Sequence, residues 1–265
     1  MGIVPGRKRD RQQPLRRRLV CLTWLILSLV CAWQASAEQP IHLTFQTDEK
    51  GKPPLGWVSK NKDPGRVYTV QEEGGRRYLR ADAQDASIQL GYEKQWPLGE
   101  YPILQWQWRA VLFPAHSDER KKSGADSALG LYVVFGHWPF IRSIKYVWSD
   151  TLPVGESFDS PFSSRAKIVV IRSGRALEGT WVAERRDVLA DYRRLFNAAG
   201  AAPAARGIAV LTDSDNTHSR AVGDYADIEA LTPRLEKTPP IVLKSPLTLP
   251  SPPRGEGKSR FLSWN

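Results

Sequence analysis

Alternation of apolar and polar positions dominates the middle of this chain and predicts strands. In LQWQWRA, starting at Leu104, the residues Leu104, Trp106 and Trp108 fall on one face and Gln105, Gln107 and Arg109 on the other, the period of a half-buried strand. Residues 128–135 and 167–171 are continuously apolar and rich in β-branched side chains, as strands covered on both faces are. Weaker patterns predict strands at 41–47, 66–71, 77–83, 87–92, 144–148 and 181–184. Turn residues separate them: Pro53-Pro54, Asp63-Pro64-Gly65, Gly74-Gly75, Pro153 with Gly155, and Ser173-Gly174. One helix is predicted over 187–196, where Val188, Leu189, Tyr192, Leu195 and Phe196 share a face and Asp187 stands at the cap. Roughly ten strands and a single short helix predict a mainly β fold of two packed antiparallel sheets, a β-sandwich or jelly roll.

The two ends break this pattern. Arg16, Arg17 and Arg18 precede an apolar run over 19–33, and Ala35-Ser36-Ala37 follows as a small-x-small cleavage site. Residues 1–37 therefore read as a signal peptide and the chain as exported, periplasmic or secreted. The run of about 15 residues is shorter than the roughly 20 that span a bilayer, so no stable membrane anchor is expected after cleavage; an uncleaved anchor is the alternative. From Thr232 the chain holds Pro233, Pro239, Pro240, Pro246, Pro250, Pro252 and Pro253 with almost no periodicity, so 232–265 is expected to be a disordered Pro-rich tail. The folded domain is then 38–231. Both cysteines, Cys21 and Cys31, lie in the leader. Thiolate catalysis and cysteine metal sites are thereby excluded from 38–231, and its core must hold without disulfides.

Charge excludes one class of partner. The chain carries a formal charge of +10, yet residues 38–231 hold 25 basic and 25 acidic side chains. All the excess lies in the two ends, and a neutral domain lacks the electrostatic footprint of nucleic-acid binding.

Candidate chemistry sits in two places. Over 207–231, two apolar segments bracket a loop with Asp213, Asp215, Asn216 and Asp224, and Asp227 lies on the second segment. Such side chains suit calcium, with Asp213, Asp215, Asp224 and Asp227 as ligands, or equally an Asx-turn. The match to a helix-flanked calcium loop fails, because His218 stands where glycine is needed. The second place is the polar face of 104–110. Gln105, Gln107 and Arg109, with Tyr132 or Trp138 as neighbours, would read sugar hydroxyls if that face lined a groove. The other reading is that Trp106 and Trp108 are core and the polar face is simply wet. For glycoside hydrolysis Glu184, Asp213, Asp215 and Asp224 are the available carboxylates. His42, His116, His137 and His218 show no metal-ligand spacing, and neither a nucleophile elbow nor a phosphate loop is present.

The blocks ILQWQWRA, LYVVFG, IKYVWS, KIVVIRSG, WVAERRDVLADYRRLF and GIAVLTDSDNT through GDYADI resemble a bacterial secreted family, domain of unknown function 3047, across residues 41–231. The resemblance implies export but no activity. The family carries an acidic pair after the glycine that precedes LYVVFG; here Gly124-Ala125-Asp126 has one acid. A looser likeness is to jelly-roll carbohydrate-binding modules, in residues 44–48 leading to Gly56-Trp57 and in Ala226-Asp227-Ile228-Glu229. It implies a structural calcium at Asp48 or Glu49 with Asp227. The expectation is a periplasmic or secreted, non-catalytic module that binds an envelope polysaccharide. The alternatives are an envelope protein-interaction or structural protein without a sugar site, and a polysaccharide-acting hydrolase or lyase.

Overall fold

Among the residues that the computed structural model describes, 41–60 and 62–233 with Gly2, the apolar patterns resolve into thirteen strands and one α-helix. The stretches read as signal peptide and Pro-rich tail lie almost wholly outside the described residues. In chain order the strands are β1 (His42–Leu43), β2 (Trp57–Val58), β3 (Tyr68–Glu73), β4 (Arg76–Gln84), β5 (Leu90–Pro97), β6 (Ile103–Leu112) and β7 (Leu129–Phe135). Then come β8 (Arg142–Ser149), β9 (Ser157–Ser160), β10 (Ser163–Ser173), β11 (Val182–Asp187), the helix α1 (Val188–Leu195), β12 (Ala204–Leu211) and β13 (Arg220–Leu231).

A six-stranded sheet runs β11-β6-β13-β4-β3, with β1 pairing along β13, and a seven-stranded sheet runs β2-β5-β12-β7-β8-β10-β9. Together they form a jelly-roll sandwich. One pair departs from the expected antiparallel order: β10 lies parallel to β8. The chain leaves β8, forms β9, and turns back antiparallel on it, so β10 returns in the direction of β8. Neither β9, with the polar sequence SFDS, nor the two-residue β2 carries a pattern that predicts a strand.

The core forms where the sheets face each other. Trp106 and Trp108 of β6 are fully buried and meet edge to face at 5.3 Å. Across the interface Trp106 packs on Tyr146 at 5.6 Å and Trp108 on Trp148 at 6.3 Å, both from β8. Each such aromatic pair contributes about 0.5–1.5 kcal/mol beyond its area burial. The tryptophan face of 104–110 is therefore core, which directs Gln105, Gln107 and Arg109 outward from the sandwich.

The helix stands where its pattern predicts. The Asp187 carboxylate accepts the Ala190 N–H at 2.8 Å and caps its start, a contact of about 1 kcal/mol. Leu189, Tyr192, Leu195 and Phe196 pack on the core edge, and Tyr192 meets Phe135 at 4.8 Å. The buried Asp191 carboxylate accepts from the Tyr146 hydroxyl and from Arg186 and Arg194, tying α1 to both sheets. Among the described residues no helix is long and apolar enough to cross a membrane.

Candidate functional site

Strand register builds a surface on the outside of the seven-stranded sheet. Tyr132 pairs with Ala209 on one side and Lys145 on the other; Ala209 pairs with Gly91 and Lys145 with Ile168. Their chain neighbours Val133, Ile144 and Ile208 enter the core, so this transverse row points outward. Two cavities open along it. One, of about 310 Å³, is lined by Tyr132, Lys145, Asp213, Asp215, Asn216 and Phe162 among others. The other, of about 540 Å³, is lined by Gln89, Glu93, Val134, His137, Trp138 and Arg206 among others. They adjoin, because Tyr132 and Val134 are successive outward positions of β7.

The smaller cavity is an ionic centre. Lys145 interrupts the apolar strand IKYVWS and is buried. Its stem lies over Gly130, where a Cβ would come within 2.5 Å of Lys145 Cε; glycine there gives the stem its room. Lys145 Nζ donates to Ser127 Oγ at 2.8 Å. Asp213 Oδ1 accepts from the Ser127 N–H at 2.9 Å and from Ser127 Oγ at 3.2 Å, while the Asp213 N–H donates to Ser127 O. Burial pushes the Asp213 pKa up to about 6, with Lys145 opposing. Burial, the largest single influence, would lower the Lys145 pKa, but Asp213 together with Tyr132, Glu119 and Tyr225 outweighs it and holds the ammonium above its ordinary value. The Tyr132 phenol is raised by burial.

Asp126 closes this end. Its two oxygens accept four hydrogen bonds, from the backbone and side chain of Asn216 and of Thr217. Asp126, Asp213 and Asp215 bring carboxylate oxygens within 4.8 Å of one another. Two of the four acids proposed from sequence for calcium thus converge, and Asp126 joins them. Asp224 and Asp227 do not.

Those two acids lie on the outer face of the six-stranded sheet. The fully buried Asp224 accepts from Arg80 Nε and Nη2, at 2.8 and 2.9 Å, and from Arg109 Nε at 2.7 Å. Asp227 accepts from Arg76 at 2.6 Å and from Gln107 at 3.2 Å. Arg109 also reaches Glu73 at 2.9 Å, and Gln105 accepts from Arg185. Arg76 and Arg109 stand 4.4 and 4.8 Å from the Trp181 ring centroid, and Trp181 meets Tyr78 at 5.3 Å. Gln105, Gln107 and Arg109 are thus occupied by neighbours of their own sheet. The sandwich places them on the face opposite Tyr132 and Trp138, and the five residues do not form one groove. Glu184 is likewise engaged, by Trp108 Nε1 at 3.1 Å and Arg172 Nε at 2.5 Å. Asp48 accepts the Leu55 N–H.

The larger cavity is rimmed by the β7–β8 loop. Trp138 is 86% exposed and Phe140 72% exposed, whereas Trp57, Trp96, Trp106, Trp108, Trp148 and Trp181 are buried. The floor is bare at Gly207, where a Cβ would meet Tyr92 O at 2.5 Å. Arg206 contacts His137 Nδ1, and Arg165 donates to Pro139 O. The sequence picks out Tyr132 and Trp138, and Asp126 only through the family resemblance, but not Lys145, Gln89, Glu93 or Arg206. The charged residue inside IKYVWS was the signal available for Lys145.

A family model described as "Protein of unknown function (DUF3047)" matches residues 56–229. No curated protein matches the chain. Among solved structures, TmCBM61 in complex with β-1,4-galactotriose is similar with a TM-score of 0.36 at 10% identity, over 74% of this chain and 99% of that one. The carbohydrate recognition domain of Emp47p gives 0.39 at 10% identity, over 75% and 99%. The xyloglucanase domain of NopAA from Sinorhizobium fredii, in complex with cellobiose, gives 0.31 at 7% identity, over 67% and 98%.

Proposed function

The chain belongs to the DUF3047 family, and from that premise we propose that it is an exported protein that binds an envelope glycan along the outer face of its seven-stranded sheet. The observation that carries the reading is Trp138, 86% exposed beside a cavity of about 540 Å³ while the six other tryptophans of the domain are buried. An indole left in water forgoes the burial of roughly 150–250 Å² of surface. Its flat face suits the C–H face of a pyranose ring, and the cavity supplies groups for sugar hydroxyls: the amide of Gln89, the carboxylate of Glu93 and the guanidinium of Arg206. Export rests on Arg16–Arg18, the apolar run behind them and Ala35-Ser36-Ala37.

Calorimetric titration of the purified protein with a panel of bacterial polysaccharides tests this. Saturable binding is expected, weakened by about tenfold or more in Trp138→Ala, the equivalent of roughly 1.4 kcal/mol. Equal affinity of wild type and Trp138→Ala, or no binding to any polymer, overturns the reading.

A further inference from the structure

We propose that the glycan taken by this groove is an acidic polysaccharide, its anionic groups held at the β7–β8 loop by Arg142, Arg165 and Arg206. The inference rests on the glycan reading above and names the class of ligand. Arginines on the opposite face already have anions: Arg76 pairs with Asp227, Arg80 and Arg109 with Asp224, and Arg220 with Asp82. The three around residues 136–141 do not follow that pattern. Among the described residues Arg142 donates to the Tyr192 hydroxyl at 3.1 Å, Arg165 to a backbone carbonyl, and Arg206 meets an imidazole. All these partners are neutral or weakly basic. A guanidinium so placed keeps its full charge and unused donors, and its planar fork matches a carboxylate, sulfate or phosphate.

The aromatic groups lie among the same cations. Arg165 stands 5.8 Å from the Phe140 ring centroid, and Arg142 lines a third cavity, of about 350 Å³, together with Phe140 and Tyr192. The loop therefore presents Trp138 and Phe140 for stacking between three positive charges. Glu93 is the single carboxylate lining the larger cavity and balances Arg206 there, so the excess positive charge of the loop comes from Arg142 and Arg165 at its rim. At the other end of the face Asp213 and Asp215 line the smaller cavity. That acidic end confines the anions of a bound chain to the Trp138 end, and so gives the chain a direction. An anionic membrane offers the same charges, but Gln89, Glu93 and Arg206 in the cavity wall supply hydrogen-bonding groups for the hydroxyls of sugar rings, which acyl chains lack.

Binding of the full chain is compared at low salt for polygalacturonate, dextran sulfate, neutral dextran and galactan, and vesicles of phosphatidylglycerol. An acidic polymer is expected to bind at least about tenfold tighter than the neutral ones, with the advantage shrinking as salt rises. Arg142→Gln, Arg165→Gln and Arg206→Gln together should bring acidic polymers to the neutral level and leave the melting temperature unchanged. The basic ends of the chain are common to both proteins and cancel in this comparison. A charge-matched control, Lys52→Gln with Arg77→Gln and Arg220→Gln, should retain the preference; if it loses the preference equally, the effect is net charge and the proposal falls. Equal affinity for neutral and acidic polymers overturns the proposal and leaves the glycan reading standing. Binding to no polymer overturns both, and binding to vesicles alone replaces the polysaccharide with a membrane surface.

Discussion

On the outside of the six-stranded sheet, Arg80 and Arg109 converge on the fully buried Asp224, Arg76 and Gln107 on Asp227, and Trp181 lies against two guanidinium groups. On the outside of the seven-stranded sheet, Arg142, Arg165 and Arg206 rest on a hydroxyl, a backbone carbonyl and an imidazole, Trp138 stands in water, and cavities open between strands. The two faces draw on the same residue types, arginine, acid and tryptophan. They differ in whether the fold itself completes each interaction. A charge matched inside the protein contributes to holding the sheet; one left unmatched beside a cavity retains its capacity for a molecule from outside. The buried charges of Lys145 and Asp213, linked through Ser127 Oγ, belong to the second face although they offset each other, because opposed buried charges add little net stability and these line a cavity.

The comparison is easiest to break at Asp224. Asp224→Ala leaves Arg80 and Arg109 without their shared anion, and removing one side of a buried pair costs about 3–5 kcal/mol. Chemical denaturation should show that loss, with polysaccharide affinity of the folded protein unchanged; a loss below about 1 kcal/mol would mean that the paired face is not structural. The next largest effect concerns Asp213. Its folded-state pKa of about 6 lies above the ordinary carboxylate value, so the folded protein binds this proton more tightly than the unfolded chain does. Its contribution to stability therefore grows as pH falls through 6. Asp82 has the opposite sign: its bond to Arg220 lowers the pKa, and its contribution is lost in more acidic solution. Between pH 7.5 and 5 the stability of wild type relative to Asp213→Asn should rise by roughly 1 kcal/mol; a flat difference would remove Asp213 from the titrating groups. Trp138→Ala should give the smallest change, within about 0.5 kcal/mol of wild-type stability. A larger loss would make Trp138 part of the packing and undo the contrast between the faces.

Local pattern carried much of the fold. The alternation of β6 assigned Trp106 and Trp108 to the core because side-chain direction follows from position in a strand. The helix was legible from its cap and apolar face. What the outward residues meet was not legible, since it depends on pairing between distant segments: Arg109 and Asp224 are 115 residues apart, and Lys145 lies across the sheet from the loop that supplies Asp213. Trp138 follows β7 in a loop, where no periodicity distinguishes a core indole from a solvated one. Asp126, a single acid between small residues, acquires its role only when the Asn216–Thr217 turn folds onto it. The polar β9 and the parallel pairing of β8 with β10 also have no local signature.

The strand order has a consequence for the life of the chain before it is folded. β12 lies between β5 and β7, and β13 lies between β6 and β4, so the last two strands of the domain occupy the interior of both sheets. Until residues 204–231 have left the ribosome, β5, β7, β4 and β6 lack these central neighbours, and neither sheet can close. Folding of this domain is thereby deferred until its last strand has been synthesised, in keeping with the slow closure of long-range β pairings. On the export route proposed above, a nascent chain held open in this way stays threadable through a translocation pore, while its unpaired edges require escort by a chaperone. The same order dictates that truncation inside β13 opens the six-stranded sheet at its middle instead of trimming its edge.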